Sequence, residues 1–288
     1  MWPCRSPKNS ASFENSRVVR LEAVHYNPPP KPAPAGLAPG LSVVDEFNVV
    51  AISLLLPTRK RVPQLERALA SIIATARCPD ALEVVLYVDE DDAESRAVEC
   101  SALRLVKLVG RRASMGAITR TCYEASQGRY IMLANDDIVF HTPDWDSKVL
   151  SAFGQFVDEV ALVWGNDLCS GAPAHPFLSR ATCDLMGGVC PAAYYREFID
   201  THLLDVFRRL ERRGHSRAVY LPHVAVEHLH FTVGKAKSDE GYADKRREQD
   251  ELAYVERREQ RAHQAALLAN YIEHHSLSAV ACGGAGGG

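Results

Sequence analysis

Residues Tyr130–Phe140 run YIMLANDDIVF: five residues of apolar strand, then Asn135-Asp136-Asp137, then Ile138-Val139-Phe140. A short apolar run that stops at polar residues is the pattern of a buried strand. The pattern recurs on either side. Val49–Leu56 (VVAISLLL) is a continuous apolar run stopped by Pro57, as a strand buried on both faces requires. Val62–Ala76 follows with Leu65, Leu69, Ile72 and Ile73 at helical spacing. Leu82–Val88 (LEVVLYV) is a second strand ending at Asp89, and Leu103–Val109 is a third. Ser114–Ser126 has the pattern of a helix, with Gly128 placed as its C-cap. Tyr130–Ala134 is then the fourth strand and Val160–Trp164 (VALVW) the fifth. This alternation predicts an α/β fold: a mostly parallel sheet, Rossmann-like, with helices on both faces.

The second half is less regular. His202–Arg213 is expected to be a helix with Leu203, Leu204, Phe207 and Leu210 on one side. Val219–Leu221 and Val224–Phe231 are expected to be strands, and Gly241–Ile272 a long charged helix. Residues 1–47 have the composition of a disordered tail, with the run Pro28–Pro34 suited to extended polyproline. Residues 276–288 end in a flexible Gly-rich tail. Between the tails lie a domain over 48–240 and a helix over 241–275.

Composition bounds the function. Within 288 residues, 33 basic side chains face 36 acidic ones, so no global field draws nucleic acid or an anionic membrane. The eight cysteines form no CxxC pair, which excludes zinc-site spacing and suits reduced thiols in the cytoplasm. The first residues lack the apolar run of a secretory signal, and no stretch approaches the roughly 20 apolar residues of a spanning helix. The expectation is a protein without an integral membrane segment.

In open parallel sheets ligands bind beyond the carboxyl ends of the strands. Those ends are Pro57-Thr58-Arg59, Asp89-Glu90-Asp91-Asp92, Gly110-Arg111-Arg112 and Asn135-Asp136-Asp137. Neither GxGxxG nor GxxxxGK[ST] follows the first strand, which removes the dinucleotide and P-loop readings. Adjacent carboxylates repel unless a cation or a hydroxyl donor is present. Mn²⁺ or Mg²⁺ takes carboxylate and phosphate oxygens together, so the acids and arginines suit a metal plus a diphosphate. A solvated Asp-rich turn is the competing reading of the same residues.

SLLLPTRKR, YVDEDD and GRYIMLANDDIVF, in that order, resemble the nucleotide-binding half of family-2-like GT-A glycosyltransferases, over about residues 49–235. The resemblance implies a nucleotide-sugar half over 48–140 and an acceptor half over 141–240. It implies Pro57, Thr58 and Arg59 at the donor, Asp89 at the base, and Asp136 and Asp137 in the DxD region with Asp137 on the metal. Asn135 departs from that pattern, since many relatives have Asp there. Asp200 matches the family's catalytic base; a helix N-cap is its structural alternative. Asp205, Asp167 and Asp184 are weaker matches. His228 and His230, two apart on a strand, face one side and are candidates for the metal. Arg112 and Lys235 are candidates for the diphosphate. Trp164–Asp167 and Gly187-Gly188 are expected along the acceptor cleft, with a core position as the alternative for Trp164.

The implied reaction is metal-dependent, inverting transfer of a sugar from a nucleotide diphosphate sugar, UDP by family habit. The acceptor would be a glycan, a lipid-linked sugar or a modified nucleic-acid base. A nucleotidyltransferase and a non-catalytic nucleotide-sugar-binding protein are the rival readings. The arginines at 208, 209, 212, 213 and 217 are read as a solvated basic face.

Overall fold

The computed structural model describes residues 17–20, 50–231, 234–235 and 246–283. The Pro28–Pro34 run, residues 236–245 and the end beyond 283 lie outside the described residues. So do the expectations placed on them, including the start of the Gly241–Ile272 helix.

The expected alternation is present. Strand β1 is Arg17–Arg20, β2 Ile52–Thr58, β3 Leu82–Asp89, β4 Arg104–Gly110 and β5 Tyr130–Leu133. Helix α1 (Val62–Thr75) follows β2, a short α2 (Ala93–Ala97) follows β3, and α3 (Met115–Ala125) follows β4. Then come β6 (Ile138–Phe140), α4 (Trp145–Phe153), β7 (Leu162–Asn166), β8 (Phe177–Ser179), α5 (Arg180–Leu185), α6 (Ile199–Glu211) and β9 (Ala218–His228). The last two helices are Arg247–Glu256 and Arg258–Gly283, so the described part of the predicted long helix is broken at Arg257.

The strands form one mixed sheet in the order β1-β4-β3-β2-β5-β8-β7-β9-β6. The β1–β4, β4–β3, β3–β2, β2–β5 and β7–β9 pairs are parallel; β8 and β6 pair antiparallel. The tail assigned to 1–47 left no place for Arg17–Arg20, which lie beside Val106–Val109 of β4. Hydrophobic periodicity could not find them, because four residues of RVVR are too few to show a period.

Strand β2 sits between β3 and β5, and both its faces are covered by helices, α1 on one side and α3 on the other. That is why its sequence does not alternate. Ile52, Leu54 and Leu56 pack with Leu65, Leu69 and Ile72 of α1 on one face. Leu55 points the other way, with Val85, toward Ile118 and Cys122 of α3, Phe207 of α6, and Leu268 and Ile272 of the last helix.

Gly128 is not a left-handed C-cap, as expected from its place after α3; Ser126 caps that helix in extended conformation. Its lack of a side chain has another cause. A Cβ at Gly128 would stand 2.5 Å from the Ser53 nitrogen of β2.

Strand β9 replaces the two predicted strands with one of eleven residues. It runs parallel to β7, passes a register shift at Gly165/Asn166, and ends antiparallel to β6. Its last residues pair Ile138 with His228 and Val139 with Glu227. The main chain continues the contact, with Leu229 N donating to the Asp137 carbonyl at 2.8 Å. Two segments about ninety positions apart in sequence therefore meet at the acidic strand end.

Candidate active site

The carboxyl ends of β2 and β3, the turns after β4 and β5, the end of β9 and the start of α6 enclose a cleft of about 550 Å³. Its lining includes Pro57, Thr58, Arg59, Asp89, Arg112, Asp136, Asp137, Asp200, His228 and His230. Lys235, read from the sequence as a diphosphate contact, is not in that lining; its Nζ donates to Glu227 Oε1 at 2.8 Å and to the Leu168 carbonyl at 3.2 Å.

The acidic pair after β5 is buried, and its two members have different partners. Asp136 Oδ2 accepts from Thr58 Oγ1 at 2.7 Å, and Oδ1 accepts from Arg61 Nη1 at 3.2 Å. Burial pushes the Asp136 carboxyl up to about 6, against the Arg61 charge and with the help of Asp137. Asp137 lies 3.7 Å from the same guanidinium, and its Oδ1 is 3.4 Å from His228 Nε2. Sequence reasoning missed Arg61. Its signal was its place, at the N-cap of α1 three residues beyond Thr58 in the basic run Arg59-Lys60-Arg61.

His228 Nε2 is buried and makes no hydrogen bond among the described residues. A second imidazole, His175, lies edge-on to it at 4.7 Å between ring centroids and is fully packed in. Burial lowers the His175 pKa to about 3, with the neighbouring His228 acting in the same direction, so this ring stays neutral. Nothing in its sequence setting, Ala174-His175-Pro176, distinguished it from a loop residue. The His230 ring stands 5.1 Å from that of His228.

Among the described residues no three His, Cys, Asp or Glu side chains converge at a metal-holding distance. Asp137 and His228 do face each other with oxygen and nitrogen donors. That fits a divalent cation whose remaining ligands are ligand oxygens and water, as hard cations at phosphate sites commonly have.

The turn after β3 is organised differently. Arg59 donates to Asp89 Oδ2 and takes Asp91 with both nitrogens, at 2.6 and 2.9 Å. Burial raises the Asp89 pKa while the Arg59 hydrogen bond opposes the rise. Asp92 accepts from Lys60 N at 2.5 Å and from Ser95 N at 3.1 Å, capping α2 and tying the two turns together.

Asp200 is the second residue of α6, and Phe198, in left-handed conformation, holds the cap position. The N-cap alternative for Asp200 therefore fails by position. Its Oδ1 accepts from Thr201 N at 2.7 Å, and burial raises its pKa against that bond. The wall that presents it is held from behind. Buried Asp250, on the helix Arg247–Glu256, accepts from the backbone nitrogens of Tyr195, Arg196 and Glu197 at 2.5, 2.9 and 2.8 Å.

The weaker candidates have structural partners. Asp205 accepts from Arg209 and Arg261, Asp184 from the Tyr123 hydroxyl, and Asp167 from the nitrogens of Cys169, Ser170 and Gly171. Trp164, Gly187 and Gly188 are outside the cleft lining; Trp164 Nε1 donates to the Gly171 carbonyl at 3.0 Å. Of the basic face, Arg217 is an interior partner, taking buried Asp158 with both nitrogens at 2.8 Å.

No protein-family profile matches the sequence, and no characterised protein matches it. Solved structures do. Glucosyl-3-phosphoglycerate synthase from Mycobacterium tuberculosis, in complex with Mn²⁺, UDP-glucose and phosphoglyceric acid, superimposes with a TM-score of 0.50 at 16% identity, over 77% of this chain and 85% of that one. A mannosyltransferase from Pyrobaculum calidifontis, in complex with GDP-mannose and Mn²⁺, gives 0.48 at 18% identity over 82% and 76%. S. aureus TarS gives 0.49 at 12% identity over 61% of this chain, which spans only 36% of TarS.

Proposed function

The chain has the GT-A fold, and from that premise we propose that it is a glycosyltransferase moving a sugar from a nucleoside diphosphate donor, UDP-linked, to an acceptor hydroxyl with inversion. One observation carries the reading: Asp89, Asp136, Asp137, His228 and Asp200, from four separate chain segments, line a single cleft. A solvated Asp-rich turn would not bury the pair and bring a histidine to it.

Each residue then has a task. Strand β2 runs on through Pro57, where the sequence alone would stop it, and ends at Thr58, so Thr58 and Arg59 stand at the donor end of the cleft. Asp89 accepts from the base. Arg112 supplies a fork for the diphosphate. Thr58 and Arg61 hold Asp136 at the diphosphate end. Asp137 and His228, with His230 alongside, would hold Mn²⁺ or Mg²⁺. A bound cation of this kind supplies positive charge against the charge growing on the leaving diphosphate.

Asp200 is the general base. A carboxyl whose pKa is raised by burial accepts a proton more readily than an unshifted one. It takes the proton of the acceptor hydroxyl as that oxygen attacks the anomeric carbon and the sugar–diphosphate bond breaks on the opposite face. No covalent enzyme intermediate forms. The acceptor class is a glycan, a lipid-linked sugar or a modified nucleic-acid base. The six free cysteines described support work in the reducing cytoplasm. No helix among the described residues is long and apolar enough to cross a membrane.

The test is a panel of nucleotide sugars with Mn²⁺, Mg²⁺ or EDTA, reading released nucleotide and thermal shift. The expected result is metal-dependent stabilisation and release for one donor. Asp200→Asn should keep the stabilisation and lose about 100-fold or more in turnover. Failure of every nucleotide sugar to bind, with and without metal, would end this reading.

A further inference from the structure

Asp89 has two carboxylate oxygens with different surroundings. Oδ2 accepts from Arg59 Nη1. Oδ1 receives no hydrogen bond among the described residues, and the side chain lines the cleft. The guanidinium that holds Oδ2 is itself fixed. Asp91 takes it in a two-pronged pair, Nη1 to Oδ1 at 2.6 Å and Nη2 to Oδ2 at 2.9 Å. The turn bearing Arg59 is pinned one residue later, where Lys60 N donates to Asp92 Oδ2 at 2.5 Å. Lys60 adopts a left-handed φ of 53° there.

An exposed ion pair contributes little to stability in general, but a two-pronged arginine–carboxylate pair fixes direction as well as charge. We propose that Arg59, braced by Asp91, is a positioning residue that commits one oxygen of Asp89 and offers the other to the ring N–H of the donor's base. The assignment rests on the nucleotide-donor reading of the cleft and adds to it Asp91, whose side chain would touch no ligand.

The chemistry follows from the geometry. A buried carboxyl tends to take up a proton, and a protonated one both donates and accepts. The guanidinium beside Asp89 opposes that protonation and keeps the second oxygen an acceptor. Uracil, thymine and guanine have a ring N–H there; cytosine and adenine present a lone pair instead. A fixed acceptor attracts the first group and repels the second. Without Asp91 the guanidinium can swing, the carboxylate can turn, and the distinction fades.

Titration calorimetry of the full chain with Mn²⁺ and each of UDP, CDP, GDP and ADP compares bases of matched size. UDP is expected to bind more tightly than CDP, and GDP more tightly than ADP, by about 10- to 100-fold, the worth of one hydrogen bond to a charged group. In Arg59→Gln and in Asp91→Asn both ratios should shrink to within about threefold, less than one ordinary hydrogen bond, with the melting temperature unchanged. Asp91→Glu, which keeps the charge and the two-pronged reach, should retain the parent ratio. A merely structural role for Arg59 would lower affinity for all four nucleotides alike. Equal binding of UDP and CDP by the parent, or parent ratios kept in both Arg59→Gln and Asp91→Asn, would overturn the assignment while leaving a nucleotide site intact. Absence of binding by all four would instead remove the donor reading itself.

Discussion

Two acidic runs close the strands on either side of β2: Asp89–Asp92 after β3, and Asn135–Asp137 after β5. As sequences they are nearly interchangeable. In the fold they are wired to different things. The first run meets donors, the Arg59 guanidinium and the backbone nitrogens of Lys60 and Ser95. The second is buried and faces, besides Thr58 and Arg61, a His228 nitrogen that makes no hydrogen bond among the described residues. A carboxylate given N–H donors becomes a positioned acceptor or a cap. One set beside a buried imidazole nitrogen with no hydrogen bond is placed to share a cation with it. What the neighbours supply sets the role.

The largest effect should come from the second run. Asp137→Ala removes the carboxylate that faces His228, and Mn²⁺ affinity by calorimetry should fall by more than about 100-fold, beyond the loss of an outer partner. The same substitution made at Asp91 should leave Mn²⁺ affinity unchanged. Equal metal loss in both variants would break the contrast.

Asp89→Asn comes next. Nucleotide affinity should fall by about 10- to 100-fold, as when a hydrogen bond to a charged group is lost. Folding stability at pH 7 should rise. The folded-state pKa of Asp89 is raised, so its contribution is largest in acid and is lost as pH rises through that folded value. Asparagine does not ionise, so urea midpoints of parent and variant should differ at pH 7 and converge in acid.

Asp92 sharpens the contrast within one turn, because its pKa moves the other way. Burial alone would raise it, but the hydrogen bonds from Lys60 and Ser95 hold it below its ordinary value. Its contribution is therefore present above the usual carboxylate range and lost as pH falls through the folded pKa. Asp92→Ala should cost about 1 kcal/mol at pH 7, typical of a lost N-cap, and less in acid. The smallest effect belongs to Glu90, which is exposed and 3.7 Å from Arg111, itself exposed. Glu90→Gln should change stability by no more than about 0.5 kcal/mol and leave nucleotide ratios alone.

Much of the fold could be read from strings of residues. β2, α1, β3, β4 and β5 were each expected within a few residues of where they lie, because continuous apolar runs and helical spacing are local signals. β6, β8 and α5 were not, since three to six residues are too short to display a period. In the site, Asp89, Asp136 and Asp137 were findable because they end strands of a parallel sheet. Arg61, His175 and Asp250 were not, for their significance lies in what they touch across the fold.

By itself, then, the sequence determined the parallel sheet, the edge at which its acids gather and the set of groups available there, because burial periodicity and residue type are written locally. Only the tertiary structure decided which acid meets which partner. Pairing β6 with β9 brought His228 to Asp137, the β2 turn brought Arg59 to Asp89 and Arg61 to Asp136, and Asp250 fixed the wall bearing Asp200. Those contacts join residues tens of positions apart, and a carboxylate's role follows from the group folded against it.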